Sequence, residues 1–213
     1  RQRLAPGATP DEILDCLTAQ ARAAVAAGID LIQVRERDLE ARALAAVVRA
    51  LLAVTQGTST RLVVNERLDV ALACGADGVH LRGTSFDAAV LRPQVPTGFL
   101  IGRSVRSVED AASAGPVDYL VAGTIGPTPS KPPGHQLLGL DGLARVCAAS
   151  AAPVLAVGGV TTARVGDIAR AGAAGAAMIG AFIGHDLAGC RAMRLDAIVT
   201  QLRDAFDTAG GGT

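Results

Sequence analysis

Strand-like and helix-like segments alternate along nearly all of this 213-residue chain. The alternation predicts an α/β fold, a parallel sheet covered by helices and closed as a (β/α)8 TIM barrel. Three observations carry that expectation. Runs such as Leu62-Val63-Val64 and Leu155-Ala156-Val157 are apolar on both faces, as strands buried on both sides must be. The segments between them are rich in Ala and Leu and stop at glycines such as Gly28 and Gly75, the residue that most readily closes a helix in the left-handed conformation. The composition is 50% hydrophobic but only 2% aromatic, so a sizeable core must be packed from aliphatic side chains.

Each element has its own justification. Thr9, Pro10 and Glu12 form an N-cap, a first-turn proline and a capping box for a helix running to about residue 27. A strand is expected over 29–35, a helix over 39–54, a strand over 61–65 and a helix over 67–74 that Gly75 ends. Residues 78–81 read as a strand, 86–91 as a short helix and 99–105 as a strand. Ser107, with Asp110 three residues on, caps a helix to residue 114. Strand 118–122 enters a proline-rich loop, followed by a helix over 140–149 and a strand over 153–157. Thr161 or Thr162 caps a helix to 171, strand 176–180 is the last, and a final helix covers 193–206.

This makes seven strands and eight helices, beginning on a helix. A barrel has eight of each and begins on a strand, so strand one is expected just ahead of Arg1. An open doubly wound sheet is the alternative, but no G-x-G-x-x-G follows an early strand. One domain over 1–208 with a frayed tail over 209–213 is the expected organisation.

Twenty basic residues balance twenty acidic ones, which points away from nucleic acid and membrane surfaces. No apolar run reaches transmembrane length and no signal peptide is visible, so a cytoplasmic protein is expected. Cys16, Cys74, Cys147 and Cys190 are scattered and read as small buried hydrophobes, with neither zinc nor disulfide roles.

In a barrel, function gathers at the C-terminal ends of the strands. Those ends present Gln33, Arg35 and Arg37; Asn65 and Glu66; His80 and Arg82; Arg103 and Ser104; Gly158-Gly159; and Gly180-Ala181. The loop 123–134 adds Thr128, Ser130 and Lys131, the chain's only lysine, between prolines at 127, 129, 132 and 133. The prolines limit the loop's freedom, so little ordering entropy is lost on binding, and hydroxyls beside one compact ammonium suit a phosphate or pyrophosphate. Glycines ahead of Thr161-Thr162 leave backbone N–H groups for a second phosphate. The expectation is two anion sites facing one pocket: Arg35, Arg37, Thr128, Ser130 and Lys131 for a pyrophosphate, amides near Gly159 and Gly180 for a phosphomonoester. Simpler roles stand beside these: Arg35 and Arg37 as surface charges, Asn65 as a helix cap, His80 as a hydrogen-bonded structural histidine, and the loop as a solvated turn.

Five segments resemble the thiamine phosphate synthase/thiazole tautomerase family. Gln33-Val34-Arg35-Glu36-Arg37 is similar to its Q-[LIV]-R-E-K, and Val64-Asn65-Glu66-Arg67-Leu68-Asp69-Val70-Ala71 to V-N-D-R-x-D-[LIV]-A. Gly75-Ala76-Asp77-Gly78-Val79-His80-Leu81 is similar to G-A-D-G-V-H-L, Pro127-Thr128-Pro129-Ser130-Lys131 to P-T-x-[ST]-K, and Ala156-Val157-Gly158-Gly159-Val160 to A-[IL]-G-G-[IV]. The resemblance implies an enzyme of thiamine biosynthesis that joins hydroxymethylpyrimidine pyrophosphate to thiazole phosphate and releases pyrophosphate. By position, Gln33, Asn65 and Ser104 would hold the pyrimidine. Arg35, Arg37, Thr128, Ser130 and Lys131 would hold the pyrophosphate, and Gly159, Gly180 and Ala181 the thiazole phosphate. Arg35, Ser104 and Lys131 would act in catalysis. The oligomeric state stays open.

The departures bear on the metal and on the branch. The family's two Mg²⁺ aspartates fall at Glu66 and Ser85, and a serine cannot replace the second, which leaves Asp69 and Asp87 as the nearest carboxylates. Ser85 and the segment Ile101-Gly102-Arg103-Ser104-Val105 are closer to the tautomerase branch, yet the tautomerase's catalytic histidine falls at Thr124. The resemblance therefore implies a synthase first, with a tautomerase or a non-catalytic binder of thiamine or thiazole phosphates as alternatives.

Overall fold

The computed structural model describes residues 7–129, 131, 132, 134–182 and 194–210. Among the described residues there are seven strands and eight α-helices: α1 (Pro10–Ala26), β1 (Leu31–Val34), α2 (Ala41–Thr55), β2 (Arg61–Asn65), α3 (Leu68–Cys74), β3 (Gly78–Leu81), α4 (Ala88–Leu91), β4 (Leu100–Val105), α5 (Val108–Ala112), β5 (Tyr119–Gly123), α6 (Gly139–Ala149), β6 (Val154–Val157), α7 (Val165–Arg170), β7 (Gly175–Ala177) and α8 (Asp196–Gly210). The strands belong to one sheet in sequence order. The pairs β1–β2, β4–β5, β5–β6 and β6–β7 are parallel. A parallel sheet in sequence order requires a crossover between neighbours, and the helices supply it. No helix among the described residues is long and apolar enough to cross a membrane.

The chain divides into two compact units, residues 1–79 with 179–200 and residues 80–178 with 201–213. In the first, α1 begins on the expected capping box: Glu12 N–H donates to Thr9 Oγ1 at 3.3 Å and Thr9 N–H to Glu12 Oε2 at 2.9 Å. The core of this unit is aliphatic, with Val48, Leu62, Val63 and Val64 fully buried. Asp77, just ahead of β3, accepts from Leu62 N–H at 2.8 Å and from Arg61 Nη1 at 2.9 Å. It thereby pins the start of β2. Gly75 closes α3 with φ of 71°, a conformation costly for other residues.

The second unit packs Leu120, Ala122, Ile125, Leu143, Val146 and Ile168 into one cluster under β4 to β7. Asp118, ahead of β5, repeats the role of Asp77. Its Oδ2 accepts from Ile101 N–H and from Arg92 Nη2, each at 2.6 Å. Ser107 caps α5 as expected, accepting from Asp110 N–H at 3.1 Å.

Several expectations are corrected. Strand β7 stops at Ala177, because its partner β6 ends at Val157 and positive-φ glycines follow. Helix α7 starts at Val165, after a turn in which Thr161 C=O accepts from both Arg164 and Val165 N–H. Neither Thr161 nor Thr162 is its cap. Helix α8 runs to Gly210, into the stretch expected as tail. Cys16 is disulfide-bonded, against the expectation for the four cysteines, whereas Cys74 and Cys147 are free. Burial pushes the Cys147 thiol up.

Candidate functional site

In the first unit, the candidate residues lie at the ends of β1 and β2. The register pairs Gln33 with Val63 and Val34 with Val64, so Gln33 and Asn65 share one face of the pair. Gln33 is exposed although its neighbour Val34 is buried. Arg35 and Arg37 follow β1 and are exposed. Asn65 ends β2 half-buried, and its side chain does not cap α3, whose N-cap is Arg67 without a side-chain bond. Next to it, Glu66 has φ of 64°. That left-handed conformation is strained for a residue with a Cβ, and such strain tends to be stored at functional sites. Arg67 and Asp69 form a two-pronged pair at 2.9 and 2.6 Å. Gly180 and Ala181 do not extend a strand. They sit exposed in a turn closed by Phe182 N–H donating to Ile179 C=O at 3.1 Å.

In the second unit, Ser104 lies near the end of β4 and is tied to the neighbouring strands. His80 Nε2 is 2.8 Å from Ser104 Oγ, and His80 Nδ1 is 3.2 Å from the Tyr119 hydroxyl. The His80 and Tyr119 rings stack at 5.6 Å, and the two residues are only 4% and 7% exposed. Burial, with the Asp118 carboxylate adding to it, holds the Tyr119 hydroxyl far above its ordinary pKa, so the phenol is neutral. Arg103 is not a ligand-facing cation. Its guanidinium donates to the carbonyls of Phe86 and Gly83 at 3.0 Å and of Ser85 at 3.3 Å, bracing the loop after β3.

The loop after β5 is seated on the end of β6 by close backbone approaches. A Cβ at Gly159 would lie 2.7 Å from Gly126 C and 2.9 Å from Pro127 O. A Cβ at Gly123 would overlap the Val157 carbonyl, one at Gly158 the Thr124 methyl and one at Gly126 the Arg164 guanidinium. Arg164 Nη1 also donates to Gly159 C=O at 3.2 Å. Arg164 is a site-building residue that the sequence reading missed; its only sequence cue was a basic residue shortly after the double glycine. Beyond this seat the loop turns, with Lys131 N–H donating to Thr128 C=O at 3.1 Å. Thr128 is half-buried and Lys131 exposed. Ser130 lies outside the described residues.

These loops match a known family. The model described as thiamine monophosphate synthase fits residues 8–182. This chain belongs to that family. A thiamine-phosphate synthase of Methanoregula boonei is 42% identical over 167 residues, covering 78% of this chain and 77% of the relative. One of Roseiflexus sp. (strain RS-1) is 36% identical over 196 residues, covering 91% and 83%. The solved thiamine phosphate pyrophosphorylase of Pyrococcus furiosus superposes with a TM-score of 0.73 at 26% identity, covering 98% of this chain and 93% of that one.

Among the described residues no group of three or more His, Cys, Asp or Glu is placed to hold a metal ion, so the Mg²⁺ that the family resemblance implies would rest on fewer protein carboxylates and on phosphate oxygens of a substrate. Ser85 Oγ is engaged in its own loop, accepting from Arg82 N–H at 3.1 Å. Asp87 caps α4 through Ala89 N–H at 2.9 Å, and Asp69 is paired with Arg67. Each carboxylate that the sequence offered in place of the missing aspartate therefore already has a partner in the protein.

Proposed function

We propose that this chain is a thiamine phosphate synthase acting in the cytoplasm on two phosphorylated small molecules, hydroxymethylpyrimidine pyrophosphate and thiazole phosphate. The observation that carries the reading is the loop after β5. Glycine contacts fix its root, and Lys131, whose ammonium has no partner among the described residues, stands at its turn. A thiazole tautomerase has no pyrophosphate to hold and would leave such a loop without purpose. It would also need an acid/base where Thr124 stands, and Thr124 is 8% exposed against Gly158.

In this reading the bond between the pyrimidine methylene and the pyrophosphate oxygen breaks first, and the thiazole nitrogen then attacks the methylene cation. Arg35, Arg37, Thr128, Ser130 and Lys131 take up the charge growing on the leaving group, the role in which fixed donors are worth most. Gln33, Asn65 and Ser104 orient the pyrimidine ring. Gly159, Gly180 and Ala181 receive the thiazole phosphate on backbone N–H groups. Mg²⁺ stays in the reading only as an ion arriving with pyrophosphate, and no step depends on it. The complete eight-strand barrel is part of the same reading and is supported by seven strands that run in sequence order in one sheet.

The test is stoichiometric release of pyrophosphate and thiamine phosphate when both substrates are supplied. Binding of either substrate without release would overturn the synthase reading and leave a binding protein.

A further inference from the structure

We propose that Tyr119 and His80 act as positioning residues that aim the Ser104 hydroxyl as a hydrogen-bond donor at the end of β4. The argument begins with Tyr119. Its hydroxyl is buried, and among the described residues its one hydrogen-bond partner is His80 Nδ1 at 3.2 Å. A buried hydroxyl that fails to donate is costly, and a neutral phenol must therefore give its proton to His80. Nδ1 is then the acceptor, and the imidazole carries its hydrogen on Nε2. Nε2–H in turn donates to Ser104 Oγ at 2.8 Å. With a lone pair occupied from behind, the Ser104 O–H is directed away from His80, toward whatever ligand atom it meets.

The packing is built for this chain of bonds. Gly102 is the register partner of Tyr119, and any Cβ at Gly102 would overlap the Tyr119 ring at Cζ and Oη. The missing side chain lets the ring lie flat on β4 and reach His80. A pair that merely filled core would not need a bare strand position beneath the phenol.

The consequence for recognition rests on the synthase reading. The ligand atom that the Ser104 O–H meets is an acceptor, such as an unprotonated ring nitrogen of the pyrimidine. A C–H in its place leaves that O–H without a partner.

Two measurements separate the relay from the function. Nitrogen-15 correlation spectra of the imidazoles, with His80 assigned by loss of its signal in His80→Gln, report the tautomer without any substrate. The expected result is neutral His80 protonated on Nε2, with Tyr119→Phe mixing the two tautomers while leaving the fold intact. A His80 protonated on Nδ1, or one whose shifts ignore Tyr119→Phe, overturns the proposal. In turnover, Tyr119→Phe should lower kcat/KM about five- to tenfold, the scale of one hydrogen bond. His80→Gln, which keeps an N–H toward Ser104, should retain more activity than His80→Leu. If Tyr119→Phe and both His80 variants turn over alike, the relay does not position Ser104. If the tautomer is as expected but no variant, wild type included, turns over, the relay stands and the synthase reading fails.

Discussion

The two ends of the strands are built on different principles. At the N-terminal ends charges are spent on one another and on backbone. Asp77 pins β2 and holds Arg61, and Asp118 pins β4 and holds Arg92, which also donates to the Phe99 and Pro116 carbonyls at 2.9 and 3.1 Å. At the C-terminal ends the backbone is fixed by glycines instead. There the side chains of Gln33, Arg37, Asn65 and Lys131 make no hydrogen bond or ion pair with described residues. Polar groups at the N-terminal ends are consumed by the fold, whereas these four side chains are held back from it. This division yields opposite outcomes for substitutions at the two ends.

The largest effect is expected at Gly159, where the two principles meet. Its φ is 68°, and a Cβ would press on Gly126 and Pro127 backbone. Gly159→Ala should cost about 2–4 kcal/mol through backbone strain and overlap, and should lower activity because the loop loses its seat. Thermal unfolding with turnover assays checks this. An alanine accepted with unchanged Tm would show that the close approach is not a structural constraint.

Lys131→Ala should separate activity from stability. A charge-assisted bond to a multiply charged leaving group is worth about 1.5–3 kcal/mol, so kcat/KM should fall roughly ten- to several-hundredfold. Leaving-group charge grows in the transition state, so the loss belongs in kcat as well as KM. Lys131→Arg should not restore it fully, because a planar fork differs from a point charge in a loop stiffened by proline. Tm should not move, since the exposed ammonium makes no hydrogen bond or ion pair with described residues. Intact pyrophosphate affinity and turnover would reduce the loop to a surface turn.

Asp118→Ala is the mirror case. It strands the Ile101 N–H and removes one partner of Arg92, which should cost about 1–3 kcal/mol, while kcat per folded molecule stays unchanged. A loss of kcat without loss of stability would break the comparison between the two ends.

Much of this was legible before any coordinates. Alternation of apolar runs placed all seven strands, and the capping residues Thr9 and Ser107 located two helix starts. Periodicity did not reveal where β7 stops, because strand length depends on a partner, and β6 ends at Val157. Nor did residue type separate Arg103 from Lys131. Both are cations at strand ends, and only the three carbonyls around Arg103 show that it braces a loop. His80 was expected as a structural histidine, and the bond to Ser104 makes it structural for the site. Tyr119 escaped notice because an aromatic at the start of a strand reads as core, and Arg164 because nothing local links it to Gly126.

The metal gives a smaller effect of the same kind. Ser85 replaces a carboxylate, and its hydroxyl is used within its own turn. Mg²⁺ should bind weakly without pyrophosphate, and Ser85→Asp should tighten it by roughly tenfold through one more hard oxygen ligand. Calorimetry on the apo protein decides, and a tight wild-type site would refute the expectation.

The smallest effect is expected at an ion pair on the ligand-facing end, Arg67 with Asp69. Hydrogen bonds from Arg67 hold the Asp69 carboxyl below its ordinary value. A carboxyl depressed in the folded state stabilises fully above its ordinary value of about 4, and that contribution is lost as pH falls from there through the lower folded-state value. The pair is solvent-facing, with side chains 36% and 64% exposed, so screening and side-chain entropy leave it worth less than about 1 kcal/mol. Asp69→Asn should therefore shift Tm by no more than a few degrees at neutral pH, and by progressively less as pH falls below the ordinary carboxylate range. A loss several times larger would mean that this pair fixes the left-handed turn at Glu66. The ligand-facing end would then rely on charge pairing for its own stability, as the opposite end does.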